Sequence, residues 1–149
     1  MKKLYILFLV VSLTSSVIQA QIVDPIKWST SVKKISDSDY ELITTATIDS
    51  GWHLYSQTVP EDGPIPTTFT FKSDESYAKK GNTKEEEGHT VQDPVFDMEI
   101  KYFENKATFK QRVKILKPID KIIGEVEFMV CDDTRCLPPT TVDLEFSLN

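Results

Sequence analysis

The chain contains two cysteines, Cys131 and Cys136, and both lie in one short stretch, FMVCDDTRCLPP, from Phe128 to Pro139. Paired cysteines support three kinds of chemistry: a structural staple, a metal site, or reversible thiol–disulfide exchange. A disulfide across so short a loop removes only ~2 kcal/mol of unfolded-chain entropy. It also cannot be an immunoglobulin-type inter-sheet bond, which joins cysteines far apart in sequence. A structural zinc site asks for four ligands, usually Cys or His, and His53 and His89, the two histidines, are both remote from the pair in sequence. Exchange needs two sulfurs within bonding range and accessible to a partner thiolate. The spacing allows that geometry across a tight turn. Arg135 favours a thiolate at its neighbour Cys136, while Asp132 and Asp133 oppose one. From these residues alone, staple, metal and exchange all remain open.

The elements that must position the pair read as strands. DYELITTATI (Asp39 to Ile48) sets Tyr40, Leu42, Thr44, Ala46 and Ile48 on one face. TTFTFK alternates through Phe69 and Phe71, and GEVEFMV places Val126, Phe128 and Val130 together. TVDLEFSL directs Val142, Leu144, Phe146 and Leu148 inward. This period of two is the mark of half-buried strands. IKWSTSVKKI, EIKYF and ATFKQRVKIL are further strand candidates, rich in β-branched and aromatic residues. Turn-forming clusters such as SDSD, DSG, PEDGPIP, ENK and KPIDK separate them. No stretch carries a helical period. About seven or eight short strands at this spacing predict an all-β, immunoglobulin-like β-sandwich. Residues 73–92 are polar, and they read as a long surface loop or irregular edge. Their KEEE run reads as a solvated patch.

The 149 residues fit one domain preceded by an export segment. Lys2 and Lys3, the apolar run Leu4 to Leu13 and a small-residue site ending at Ala20 form the pattern of a signal peptide, residues 1–20. The apolar run, about ten residues, is well short of the roughly 20 that span a bilayer. The mature domain, residues 21–149, is therefore expected to be exported, periplasmic or otherwise outside the cytoplasm, and without membrane insertion after cleavage. In that setting disulfides persist. The formal charge of −6 makes nucleic-acid binding an unsuitable role, because phosphate backbones would be repelled.

Several stretches together resemble the N-terminal periplasmic domain of the thiol:disulfide interchange protein DsbD. The most specific is CDDTRCLPP (Cys131 to Pro139), between an alternating strand and the final strand. GWHLYSQ (Gly51 to Gln57) is similar to that family's aromatic Gly-x-x-Leu-Tyr stretch, and DPVFDMEIKYFENKATFKQRV (Asp93 to Val113) to its cap-bearing segment. The resemblance implies an immunoglobulin-like sandwich with a redox-active pair on a hairpin, and no cofactor or metal. It implies that Cys136 forms the mixed disulfide with partners and that Cys131 resolves it. Phe96, in a loop from Asp93 to Asp97, is the expected cap, and Tyr55 the expected aromatic wall. The implied partners are a thioredoxin-like or membrane electron donor and oxidised periplasmic thiol–disulfide proteins, including those of cytochrome c biogenesis. The chain lacks that family's multi-span and C-terminal thioredoxin-like domains, so a stand-alone version, fed by another protein, is expected. Its inter-cysteine segment is also shorter. His53 is a candidate for tuning proton transfer or a packed residue. A non-catalytic immunoglobulin-like binding module with a structural disulfide is the alternative reading.

Overall fold

The computed structural model describes residues 23–72 and 74–148. The expected signal peptide, residues 1–20, lies outside the described residues. Among the described residues there are eleven strands and no helix. Among these residues no helix is long and apolar enough to cross a membrane. The strands are β1 (Ile26–Lys34), β2 (Asp39–Ile48), β3 (His53–Tyr55), β4 (Thr68–Phe71), β5 (Tyr77–Glu85), β6 (His89–Asp93), β7 (Met98–Phe103), β8 (Lys106–Ile115), β9 (Lys121–Phe128), β10 (Val130–Cys131) and β11 (Thr140–Ser147).

They form two layers. One is a four-stranded antiparallel sheet in the order β1-β2-β8-β5. The other is made of a three-stranded sheet, β11-β9-β4, and a four-stranded sheet, β10-β3-β7-β6. These two share a continuous chain where β9 runs through Met129 into β10. Alternation decides which side chains meet between the layers. β2 contributes Leu42, Ala46 and Ile48, and β8 contributes Ala107, Phe109 and Val113. Facing them are Leu54, Phe103, Ile122, Val126, Phe128, Val130, Leu144 and Phe146. Burying each large apolar side chain contributes about 1.5–3 kcal/mol. Trp28 is half-buried against Phe69, Phe109 and Phe128, and Trp52 packs at the margin of the same core. The architecture is an all-β, immunoglobulin-like sandwich.

Of the two forms expected for residues 73–92, a long surface loop or an irregular edge, the structure has the edge. Most of the segment is β5 and β6. β5 is an edge strand paired only with β8, and its register shifts between Lys80 and Lys84 around Gly81, whose φ is +71°. An edge strand leaves most of its side chains in water, so its sequence carries little apolar alternation. Tyr77 is its one buried anchor in the core. The KEEE run is also not uniformly solvated. Glu85 turns inward and accepts hydrogen bonds from Ser56 Oγ (2.6 Å), Gln57 N–H (2.8 Å) and Lys101 Nζ (2.8 Å). Burial pulls its carboxyl upward, but the Gln57 amide, Lys101 and Ser56 outweigh this and hold it below its ordinary value. Glu85 thus ties β5 to the segment following β3, beside the sheet that carries the cysteines.

Candidate redox site

The sheet β10-β3-β7-β6 is buried on both faces at its centre, and this creates the site. Leu54, Phe103 and Val130 point into the main core. Their neighbours Tyr55, Tyr102 and Cys131 point the other way and, with Ile100, form a second apolar cluster. Val59, Val91, Phe96, Met98, Met129 and Cys136 cover it.

Cys131 and Cys136 are joined in a disulfide. They face each other across an antiparallel bridge. Backbone bonds flank the pair: Asp132 N–H donates to Arg135 O, and Leu137 N–H donates to Val130 O, both at 2.9 Å. The four-residue loop between the cysteines is shaped by Asp132. Its Oδ1 accepts from Thr134 N–H (2.8 Å), Thr134 Oγ (2.7 Å) and Arg135 N–H (2.9 Å). An Asp side chain that bonds its own downstream backbone is a standard turn device. These bonds from Thr134, and then those from Arg135, hold the Asp132 carboxyl down to about 2. The Arg135 side chain pairs with Asp132 at 3.4 Å and lies 5.9 Å over the Trp52 ring, so its charge is shared among several neighbours. Cys131 is fully buried and Cys136 is half-buried.

A second hairpin loop packs against the same cluster. Asp93 pairs with Met98 at the ends of β6 and β7, leaving Pro94, Val95, Phe96 and Asp97 as the turn. Asp93 is 1% exposed. Its Oδ1 accepts from Val95 N–H (2.8 Å) and Phe96 N–H (3.1 Å), and its backbone O accepts from Asp97 N–H (2.9 Å). Asp97 sits at φ 51°, in the left-handed region that Asp tolerates better than most residues. The other Asp93 oxygen accepts the Tyr55 hydroxyl at 2.8 Å. One carboxylate thus shapes this turn and fastens it to the sheet. Burial, followed by this carboxylate, pushes the Tyr55 hydroxyl far above its usual range. Phe96 meets the Tyr55 ring edge-on, centroids 5.9 Å apart at 90°. The structure therefore brings together Cys131, Cys136, Tyr55, Phe96 and Asp93.

Sequence reasoning missed two contributors and raised a third, His53, without placing it at the site. Ile100 and Tyr102 line the cluster from β7, and their two-residue spacing with Met98 was a readable signal. His53 lies directly across the ladder from Cys131. It is 7% exposed, stacked on Tyr102 with centroids 4.3 Å apart, and its Nε2 is 3.3 Å from Glu104 Oε1. Burial, then Glu104, Asp133 and Asp93, raises the Tyr102 hydroxyl above its ordinary value.

Comparison with solved structures places this architecture among known ones. The reduced N-terminal domain of DsbD from Neisseria meningitidis is similar with a TM-score of 0.57 and 12% identity, covering 86% of this chain and 91% of that one. The N-terminal periplasmic domain of ScsB from Proteus mirabilis is similar with a TM-score of 0.58 and 12% identity, covering 85% of this chain. This chain spans about half, 49%, of that ScsB chain. At this identity both likenesses concern the fold. No curated protein matches the sequence. The sequence itself matches the family described as Thiol:disulfide interchange protein DsbD, N-terminal, over residues 19–148, and the chain belongs to that family.

Proposed function

We propose that the chain is an exported thiol–disulfide exchange protein, carrying reducing equivalents through Cys131 and Cys136 to oxidised periplasmic protein partners. In this reading residues 1–20 direct export and residues 21–149 form the working domain. A thioredoxin-like protein or a membrane electron carrier supplies the electrons. Reduced Cys136 attacks a partner's disulfide and forms a mixed disulfide. Cys131 then attacks Cys136, which closes the intramolecular bond and releases the partner as a dithiol.

The observation that carries the reading is the unequal burial of one bonded pair: Cys131 is sealed within the apolar cluster, and Cys136 is half-buried at its rim. An attacking sulfur must be reached from outside, and a resolving sulfur only from within the protein. Phe96, held by Asp93 and Tyr55, limits access until a partner displaces the cap. Apolar cover of this kind also slows unwanted oxidation of the thiolate.

Trapping tests the reading. With Cys131→Ala, Cys136 should accumulate mixed disulfides with exported proteins that carry exchangeable disulfides. Recovery of glutathione adducts alone would sink the relay. A glutathione titration separates it from a structural staple. An exchange centre opens within that buffer's range, whereas structural disulfides sit below about −300 mV.

A further inference from the structure

Across β10, β3 and the end of β7, three chemically distinct side chains occupy one row. Cys131 pairs with His53 in register. β3 pairs with β7 as Leu54 with Phe103 and Tyr55 with Tyr102, so the next position opposite His53 is Glu104. Residues directly opposite in an antiparallel pair hold their Cβ atoms about 5 Å apart on the same face. The Glu104 contact, 3.3 Å from His53 Nε2, shows that the row is closed at that end. The imidazole is fixed from above by its stack on Tyr102. The titratable and charged groups facing it are Cys131 on β10, Tyr102 on β7, Glu104 just past β7, and Asp133 on the cysteine hairpin at 4.0 Å.

The exchange cycle leaves a proton at Cys131 unaccounted for. Its sulfur is fully buried. A thiolate there is costly, because burial in apolar surroundings disfavours the charged form. Yet only the thiolate attacks. A base beside the sulfur removes this conflict by making the charge transient. Nucleophile, imidazole and orienting carboxylate in sequence is the general arrangement for activating a weak nucleophile.

We propose that Cys131, His53 and Glu104 form a cross-strand proton relay serving the buried sulfur. The proposal rests on the reading of Cys131 as the resolving cysteine. During resolution His53 takes the proton from the Cys131 thiol, and the resulting thiolate attacks Cys136 of the mixed disulfide. The Cys131–Cys136 bond forms, the bond from Cys136 to the partner breaks, and the partner's sulfur leaves with the electron pair. The cycle runs backwards when a donor thiolate attacks Cys136. The Cys131–Cys136 bond breaks, Cys131 leaves as a thiolate, and protonated His53 returns the proton. Glu104 is a positioning residue. It orients the ring through Nε2, stabilises the imidazolium and, being partly exposed, connects it to solvent.

The test separates the two chemical steps, with oxidised glutathione as the probe. The reduced full chain is mixed with it, quenched in acid, and resolved by mass into dithiol, glutathione adduct and closed disulfide. A Cys131→Ser variant isolates the first step. His53→Gln should slow closure at neutral pH by at least about tenfold, the low end of general-base effects being larger still. Attack by Cys136 should stay within twofold of wild type. Closure in His53→Gln should also rise in proportion to hydroxide, where the wild-type profile is flatter. Glu104→Gln, at a partly exposed position, should show the same pattern in weaker form even if His53→Gln fails to fold. Unchanged closure with an unchanged pH profile, or equal slowing of both steps, overturns the relay. If closure behaves as expected but no protein partner is ever trapped, the proposed function fails and the proton relay stands.

Discussion

If the loop around Phe96 caps the cysteine pair as proposed, the hydrogen bond from Tyr55 to Asp93 is its latch, and removing one oxygen atom tests it. Tyr55→Phe keeps the ring, and with it the edge-on contact to Phe96. It deletes only the donor to Asp93 Oδ2. Both partners are sealed, Tyr55 at 0% and Asp93 at 1% exposure, so water does not replace the lost bond in the closed state. A hydrogen bond to a charged group contributes about 1.5–3 kcal/mol. Once the cap opens, Asp93 regains water, so most of that difference falls between closed and open states. At about 1.4 kcal/mol per decade, the open population should rise roughly 10- to 100-fold. If attack on Cys136 passes through the open state, dithiothreitol should reduce the Cys131–Cys136 bond faster by the same factor. Hydrogen exchange at the Val95 and Phe96 amides, both bound to Asp93 Oδ1, should accelerate in parallel. A reduction rate within twofold of wild type, with unchanged exchange at those amides, would refute the latch even if the melting temperature fell.

Other perturbations have equally definite outcomes. The Glu85 carboxyl is held below its ordinary value, so its stabilising contribution is present above the unfolded carboxylate range, about pH 4.3, and is lost as pH falls through the lower folded value. Urea unfolding should thus show wild type steeper than Glu85→Gln in this acid range, and parallel behaviour of the two would remove Glu85 from the account. Gly88→Ala would bring a Cβ within 2.7 Å of Tyr102 O and 2.8 Å of the Phe103 ring, and should lower stability by about 1–3 kcal/mol in thermal melts. Melting at the wild-type temperature would mean that the turn before β6 yields freely. Asp132→Ala removes the acceptor of three hairpin bonds, so the disulfide should open at a less reducing glutathione ratio; an unmoved midpoint would show that the loop holds itself.

The strands with one wet face were readable residue by residue. β2, β8, β9 and β11 alternate cleanly, because each has one side in the core and one in water. β3 gave no such signal: all three of its residues are buried, and a strand covered on both faces has no period to detect. β5 showed no strand period for the opposite reason, being largely exposed along its length, and its sequence told only of a surface loop or an irregular edge. The site divided along the same line. Cysteine spacing marked one hairpin, and family resemblance pointed to Phe96, Tyr55 and Asp93. The row through His53 and Glu104 depends on register between strands distant in sequence, which no local pattern carries. The same distance made His53 look remote from the cysteines. Charge was least legible. Three consecutive glutamates look equivalent in the sequence, yet Glu85 is folded into a hydrogen-bond network while Glu87 is exposed.

The backbone bonds on either side of the cysteine bridge have a thermodynamic consequence. The amides of Asp132 and Leu137 find their acceptors without help from sulfur, so opening the bond leaves the hairpin closed. The two thiols stay at high effective concentration, and re-forming the bond requires no conformational search. Such a chain should switch redox state with almost no change of backbone conformation, its disulfide form melting above its dithiol form by no more than the ~2 kcal/mol of loop-closure entropy supplies. Its potential is then a property of a few atoms at the rim of one sheet, and it can shift through the chemistry of that rim while the fold around it stays constant.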